Sequence, residues 1–204
     1  MSLSRIQSIK QAIRKRTLSL REQLTPTARA MHSAAILERL VQLPEYQQAE
    51  TALGYMNIGA EFSSEFWIQQ ALADGKKLAL PRVNRHTNQL DLYWVDDLEN
   101  QLAPGLWGIR EPMVERCERV ATLNEVEFAL LPGVAFTRDG ARLGYGGGFY
   151  DKLLAHFREQ NGTHRPALVA AAFALQIVEQ IPQEATDVKV EWIVTEQETI
   201  DCSA

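Results

Sequence analysis

The chain has 204 residues, 46% of them hydrophobic and 23% charged, the range of one globular domain (1–204) with a sizeable core. A net charge of −5 argues against a sequence-independent grip on nucleic acid, which needs surplus Lys and Arg to neutralise phosphates. No apolar run approaches the ~20 residues that cross a bilayer, the start lacks a secretory apolar core, and Cys117 and Cys202 form neither a C-x-x-C pair nor a cluster with histidines. A cytoplasmic protein without a disulfide or a zinc site is expected.

The charge is unevenly spread. Arg5, Lys10, Arg14, Lys15, Arg16 and Arg21 fall in the first 22 residues against one acid, Glu22. Such a segment fits a transit peptide, a solvated helix face or an arm that meets a polyanionic ligand. From Ser4 to about Arg21 the apolar positions Ile6, Ile9, Ile13 and Leu18 recur at helical spacing, and Lys10 and Arg14 share one face. Thr25-Pro26 signals a helix start, with a helical pattern over Ala28 to Leu43 before Pro44.

Thr51 to Met56 reads as a strand, followed by a loop with Asn57 and Gly59 and a helix opened by Ser63 and running through Phe66 to Ala73. Further strands are expected at Lys77 to Leu80, ending at Pro81, and at Leu90 to Val95. Glu127 to Leu131 reads as a buried strand, and Asp139-Gly140 as a tight turn. The last strands are placed at Ala167 to Phe173 and Val190 to Val194. This alternation predicts an α/β fold, a single domain with a mostly parallel sheet flanked by helices on both faces. Function is then expected in loops beyond the carboxyl ends of strands, here 57–62, 104–112 and 137–150.

The densest feature is Arg142-Leu-Gly-Tyr-Gly-Gly-Gly-Phe-Tyr-Asp151, which runs into a helical pattern at Lys152 to His156. Glycines at 144, 146, 147 and 148 let backbone amides approach a ligand, and a following helix adds its positive end. Arg142 offers a forked donor set for phosphate, and Asp151 a hard oxygen suited to magnesium. A plain flexible glycine turn is the competing reading. The G-x-G-x-x-G rule fails because Phe149 stands where its last glycine belongs, and no G-x-x-x-x-G-K-[ST], G-x-S-x-G or H-E-x-x-H string occurs. His32, His86, His156 and His164 show no spacing that suggests a metal or a triad, so each reads as structural or surface.

The stretch Leu131-Pro-Gly-Val-Ala-Phe-Thr-Arg-Asp-Gly-Ala-Arg-Leu-Gly-Tyr-Gly-Gly-Gly-Phe-Tyr-Asp-Lys resembles the signature of 5-formyltetrahydrofolate cyclo-ligases. Lys10 and Arg14 resemble that family's amino-terminal phosphate-binding pair, and Leu80-Pro81-Arg82 and Trp107-Gly-Ile its central segments. The similarity spans nearly the whole chain. It implies the NagB/RpiA/CoA-transferase-like fold and an enzyme that closes the imidazoline ring of 5-formyltetrahydrofolate to give 5,10-methenyltetrahydrofolate. ATP is the implied co-substrate and magnesium the implied metal.

By the same resemblance, the formyl oxygen attacks the γ-phosphate, N10 adds to the activated carbon, and phosphate leaves. Lys10 and Arg142 are the implied catalytic cations. The implied ATP contacts are Lys10, Arg14, Arg142, Leu143, Gly144, Tyr145, Gly146, Gly147, Gly148, Phe149 and Tyr150. Folate contacts fall on Met56, Glu61, Trp107 and Tyr145 to Phe149, and magnesium contacts on Asp151 and Asp187. For Met56 and Trp107 ordinary core packing stands as an equal alternative, and for Asp187 a solvated charge. Many relatives carry Lys where this chain has Gly147 and Arg where it has Tyr145, so two cationic contacts of the loop are absent. Expected partners are the two small-molecule substrates, with no nucleic acid and no membrane, and the chain is expected to be a monomer. A small-molecule kinase, a non-catalytic folate or nucleotide binder and a basic-arm nucleic-acid binder remain as rival readings.

Overall fold

The computed structural model describes residues 3–159, 165–184 and 187–203. Among them the elements run α1 (Leu3–Glu22), α2 (Pro26–Leu40), α3 (Pro44–Gln48), β1 (Thr51–Leu53), α4 (Ser64–Ala73), β2 (Lys77–Asn84), β3 (Gln89–Val95), α5 (Leu98–Gln101), β4 (Leu102–Pro104), β5 (Arg110–Pro112) and β6 (Phe128–Leu131). The remainder are β7 (Ala135–Phe136), β8 (Arg142–Leu143), α6 (Phe149–Glu159), β9 (Ala167–Ala171), β10 (Trp192–Val194) and β11 (Thr199–Asp201). His164 lies outside the described residues. No helix among them is long and apolar enough to cross a membrane.

Seven strands form one sheet in the order β11-β10-β9-β6-β1-β2-β3. The pairs from β10 to β2 are parallel, and β11 and β3 close the two edges in antiparallel fashion. The pleat explains why the inner strands read as unbroken apolar runs, since alternate side chains enter two separate cores. Phe128, Leu130, Val169 and Ala171 join one core with Ile36, Leu40, Tyr46 and Trp67 from the helices of the first half. Ala129, Leu131, Leu168 and Ala170 join the other with Leu153, Leu154 and Phe157 of α6. The expected α/β sheet with helices on both faces is thus the observed one.

Thr25 caps α2 by accepting from the Ala28 amide at 3.1 Å. The helix stops at Leu40, short of the expected Leu43, because Leu43 precedes Pro44 and takes the extended conformation that a following proline favours. Pro44 then opens α3, a short helix not read from the sequence. β2 runs through Pro81 to Asn84 instead of ending there: its pairing with β1 stops at Ala79, so that edge accommodates a residue without an amide hydrogen, while pairing with β3 continues. β1 is shorter than expected and ends before Gly54, which lies so close to the Trp67 ring that a Cβ there would stand 3.0 Å from it.

Two small hairpins, β4–β5 and β7–β8, lie outside the main sheet. The second follows β6 and turns at the expected Asp139-Gly140, where Gly140 has φ +88° and donates to the Thr137 carbonyl at 2.9 Å. Ile13 of α1 packs on this hairpin together with Ala135, Ala141, Leu143 and Ile181. That contact sets the amino-terminal helix beside the chain that leads into the glycine run.

Candidate active site

The β7–β8 hairpin delivers Arg142 to the start of the glycine run, which passes directly into α6 at Phe149. Gly146 (φ +101°) and Gly148 (φ +70°) occupy backbone conformations that side chains resist. The unpaired amides of the first turn of α6 therefore open beside a loop without side-chain bulk, a local arrangement that attracts anions. This element is longer and begins earlier than the expected Lys152 to His156.

Helix α1 contributes cations from the other side. The Arg14 Nε donates to the Gly144 carbonyl at 2.7 Å, which ties the helix to the loop. The Lys10 Nζ stands 2.9 Å from Glu184 Oε2 and 3.3 Å from Asp187 Oδ2. Burial lowers the affinity of the Lys10 amine for its proton, yet these two carboxylates outweigh it and hold the amine above its ordinary value. Arg142 donates to the Pro132 carbonyl at 3.1 Å and to Asp151 Oδ1, while its Nε has no hydrogen-bond partner among the described residues. Burial draws this guanidinium below its ordinary value, opposed by Asp151, Tyr150 and Asp187.

These groups meet in one cleft of about 600 Å³ beyond the carboxyl ends of β1, β2 and β6. Of the residues singled out from the sequence, Lys10, Arg14, Met56, Glu61, Trp107, Arg142, Gly144 to Asp151 and Asp187 all line it. Leu143 does not. It is 2% exposed and its side chain belongs to the packing under the hairpin, because alternation along β8 turns it away from the face that carries Arg142. Trp107 is 68% exposed, with φ +57° between Gly105 and Gly108, so core packing does not account for it. Its ring meets that of Phe149 edge-on at 6.3 Å.

Glu61 is a buried charged group of the cleft. Its Oε2 accepts from the Ile58 amide at 2.7 Å and its Oε1 from the Tyr145 hydroxyl. Burial pushes the carboxyl up, against the pull of the Tyr145 and Ile58 hydrogen bonds and the Arg21 charge. Sequence reasoning did not assign Arg21 or Glu184 to the site. The signal for Arg21 was present in the series Lys10, Arg14, Thr17 and Arg21, which continues one helix face and includes the buried Thr17 and Arg21.

Chemically the cleft combines the cations Lys10, Arg14 and Arg142, a side-chain-poor loop, a helix amino terminus and the carboxylates Asp151 and Asp187, with aromatic and apolar surface at its other end. Asp151 and Asp187 are hard oxygen donors that suit a magnesium ion sharing its shell with phosphate. Among the described residues no group of three or more His, Cys, Asp or Glu could enclose a metal. His32 packs edge-on against Phe173 at 5.9 Å, and His86 and His156 are exposed, as the sequence implied. Both cysteines are free.

A sequence model of the 5-formyltetrahydrofolate cyclo-ligase family matches residues 6–196. The chain is 31% identical to the 5-formyltetrahydrofolate cyclo-ligase of Haemophilus influenzae over 188 residues, 92% of this chain and 96% of that one. It is 26% identical to a probable 5-formyltetrahydrofolate cyclo-ligase of Caenorhabditis elegans, covering 97% and 98% of the two chains. The solved structure of Aquifex aeolicus 5,10-methenyltetrahydrofolate synthetase superposes with a TM-score of 0.80 at 32% identity, over 96% of this chain and 94% of that one. The Mycoplasma pneumoniae synthetase shares the fold, with a TM-score of 0.70 at 21% identity over 92% and 98% of the chains. With a match that covers almost the whole chain and includes both the glycine loop and the cationic helix, this protein belongs to the 5-formyltetrahydrofolate cyclo-ligase family.

Proposed function

We infer that the cleft catalyses the ATP-dependent cyclisation of 5-formyltetrahydrofolate to 5,10-methenyltetrahydrofolate, with release of ADP and phosphate. The observation that carries this reading is the convergence of Lys10, Arg14 and Arg142 with the glycine loop on one cavity. Phosphoryl transfer is chiefly a problem of position and charge, so it asks for cations and a backbone cradle rather than for a nucleophilic side chain.

In the first step the formyl oxygen bonds to the γ-phosphorus and ADP leaves, giving an iminium phosphate. N10 then adds to the formyl carbon and loses its proton, and the carbon–oxygen bond breaks with its electron pair going to phosphate. The former formyl oxygen departs in that phosphate. Lys10, Arg14 and Arg142 would bind the phosphate oxygens, and the Gly144 to Gly148 backbone would close round them. Asp151 and Asp187 would hold magnesium, which supplies positive charge against the triphosphate when bound. Phe149 and Tyr150 shape the nucleotide end. Met56, Trp107 and Glu61 hold the folate, two by apolar surface and one by accepting N–H donors. We place the enzyme in the cytoplasm as a monomer.

The test is a spectrophotometric assay with 5-formyltetrahydrofolate, ATP and magnesium. Methenyl-folate absorbance should rise with release of one inorganic phosphate per turnover. A phosphorylated product that keeps its phosphate, or folate binding without any ATP-dependent absorbance change, would sink the reading.

A further inference from the structure

The geometry points to Arg21 as a positioning residue for the folate end of the cleft: it holds the Tyr145 hydroxyl, and through it Glu61, so that the carboxylate faces the ring system. This rests on the proposed contact between Glu61 and the folate.

Arg21 Nη2 donates to Tyr145 Oη at 2.8 Å, and that oxygen donates in turn to Glu61 Oε1. Arg21 Nη1 lies 3.8 Å from the same Glu61 oxygen, and the guanidinium carbon stands 5.8 Å from the centre of the Tyr145 ring. The side chains of Arg21 and Glu61 are 5% and 4% exposed. A buried guanidinium carries a desolvation cost that only well-placed partners offset. Tyr145 and Glu61 are such partners, and both line the cleft. Arg21 does not line it and stands behind them. It is the last member of the Lys10, Arg14, Thr17, Arg21 face, so one helix supplies cations to the phosphate end and a support to the folate end.

Among the described residues each Glu61 oxygen accepts one hydrogen bond, from Ile58 N or Tyr145 Oη. A carboxylate has about four acceptor sites, so the held group keeps capacity for the N–H edge of a reduced pterin. The carboxyl is faced by Arg21 from α1, Tyr145 from the glycine loop, Tyr150 from α6 and Tyr55 just beyond β1. Of these, Arg21 and the Tyr145 hydroxyl favour the ionised form against burial. Removing either therefore raises the carboxyl further, so the acidic limb of folate use moves to higher pH.

Tyr145→Phe removes one oxygen from a half-exposed ring. It should raise KM for 5-formyltetrahydrofolate about tenfold while KM for ATP stays within about twofold. The acidic limb of kcat/KM for the folate should move to higher pH. Arg21→Met should show the same signature more strongly, Arg21→Lys should recover part of it, and Glu61→Gln should abolish the limb. Equal rises in both KM values, or an acidic limb in Tyr145→Phe that coincides with the unmodified enzyme's, would overturn the role of Arg21. Tyr145→Phe decides alone if Arg21→Met does not fold. An unmodified protein that forms no methenyl-folate sinks the activity itself, whereas an active one with unmoved variants sinks only the part given to Arg21.

Discussion

Lys10 and Asp187, 177 positions apart in the chain, meet at 3.3 Å on the cleft that Arg142 also lines. The amino-terminal helix and the carboxyl-terminal segment are thereby joined across the proposed triphosphate site. Because Lys10 already holds two carboxylates, a nucleotide bound as proposed would compete with them for the amine, and a magnesium ion held as proposed would compete for Asp187.

Lys10→Met should raise KM for ATP about tenfold or more, with a much smaller effect on the folate KM. The ion pairs it loses are partly exposed and worth about 0–1 kcal/mol, so the melting temperature should stay nearly constant. Steady-state kinetics with each substrate varied in turn, beside a thermal melt, checks both halves. An unchanged ATP KM would remove Lys10 from the phosphate site.

Arg142 and Asp151 are partners with unequal burial, their side chains being 3% and 52% exposed. Asp151→Asn should lose turnover with a limited loss of stability, because the amide oxygen can still accept from the buried guanidinium. Arg142→Ala should lose turnover and also about 1–3 kcal/mol of stability, since the Pro132 carbonyl is left without its donor. Denaturant titrations of the two variants should separate clearly, and equal midpoints would contradict the buried environment of Arg142.

Gly140 tests whether the hairpin beneath Arg142 is as tightly placed as the structure has it. A Cβ there would stand 2.2 Å from the Val190 carbonyl oxygen, on a backbone with φ +88°. Gly140→Ala should cost about 2 kcal/mol or more from strain and overpacking together. For a chain of this size that lowers the melting temperature by about 5 °C or more.

Burial raises the hydroxyls of Tyr46, Tyr55, Tyr145 and Tyr150 above their ordinary 10.0, aided by Asp74 for Tyr46 and by Glu61 for the others. A group raised in the folded state contributes stability that is fully present below pH 10.0 and lost as pH rises through the folded value. Tyrosinate absorbance should thus lag behind a free-tyrosine titration in the folded protein and rise together with loss of the circular dichroism signal. Ionisation of these four tyrosines near pH 10 with the fold intact would contradict the upward shifts.

The strands of the sheet were only partly legible in the sequence, and their order was not. Glu127 to Leu131 reads as a buried strand and Ala167 to Phe173 as a strand, and both are present as Phe128–Leu131 and Ala167–Ala171. The extension of β2 past Pro81 was hidden, because whether a proline ends a strand depends on which edge has a partner. The hairpin β4–β5 and the short α3 and α5 were missed for a related reason: segments of three to five residues carry too few positions for a period to show.

What the sequence determined by itself was whatever rests on local chemistry. That covers an amphipathic cationic first helix, an alternating α/β chain, and a glycine run entering a helix beside an arginine and an aspartate. Only the tertiary structure decided which charges act together. Arg14 meets Gly144 across 130 positions, Arg21 meets Tyr145 across 124, and Tyr145 meets Glu61 across 84. Such pairings follow from how the helix packs on the hairpin, and Coulomb and hydrogen-bond energies fall off over a few ångströms, so no spacing along the chain could announce them.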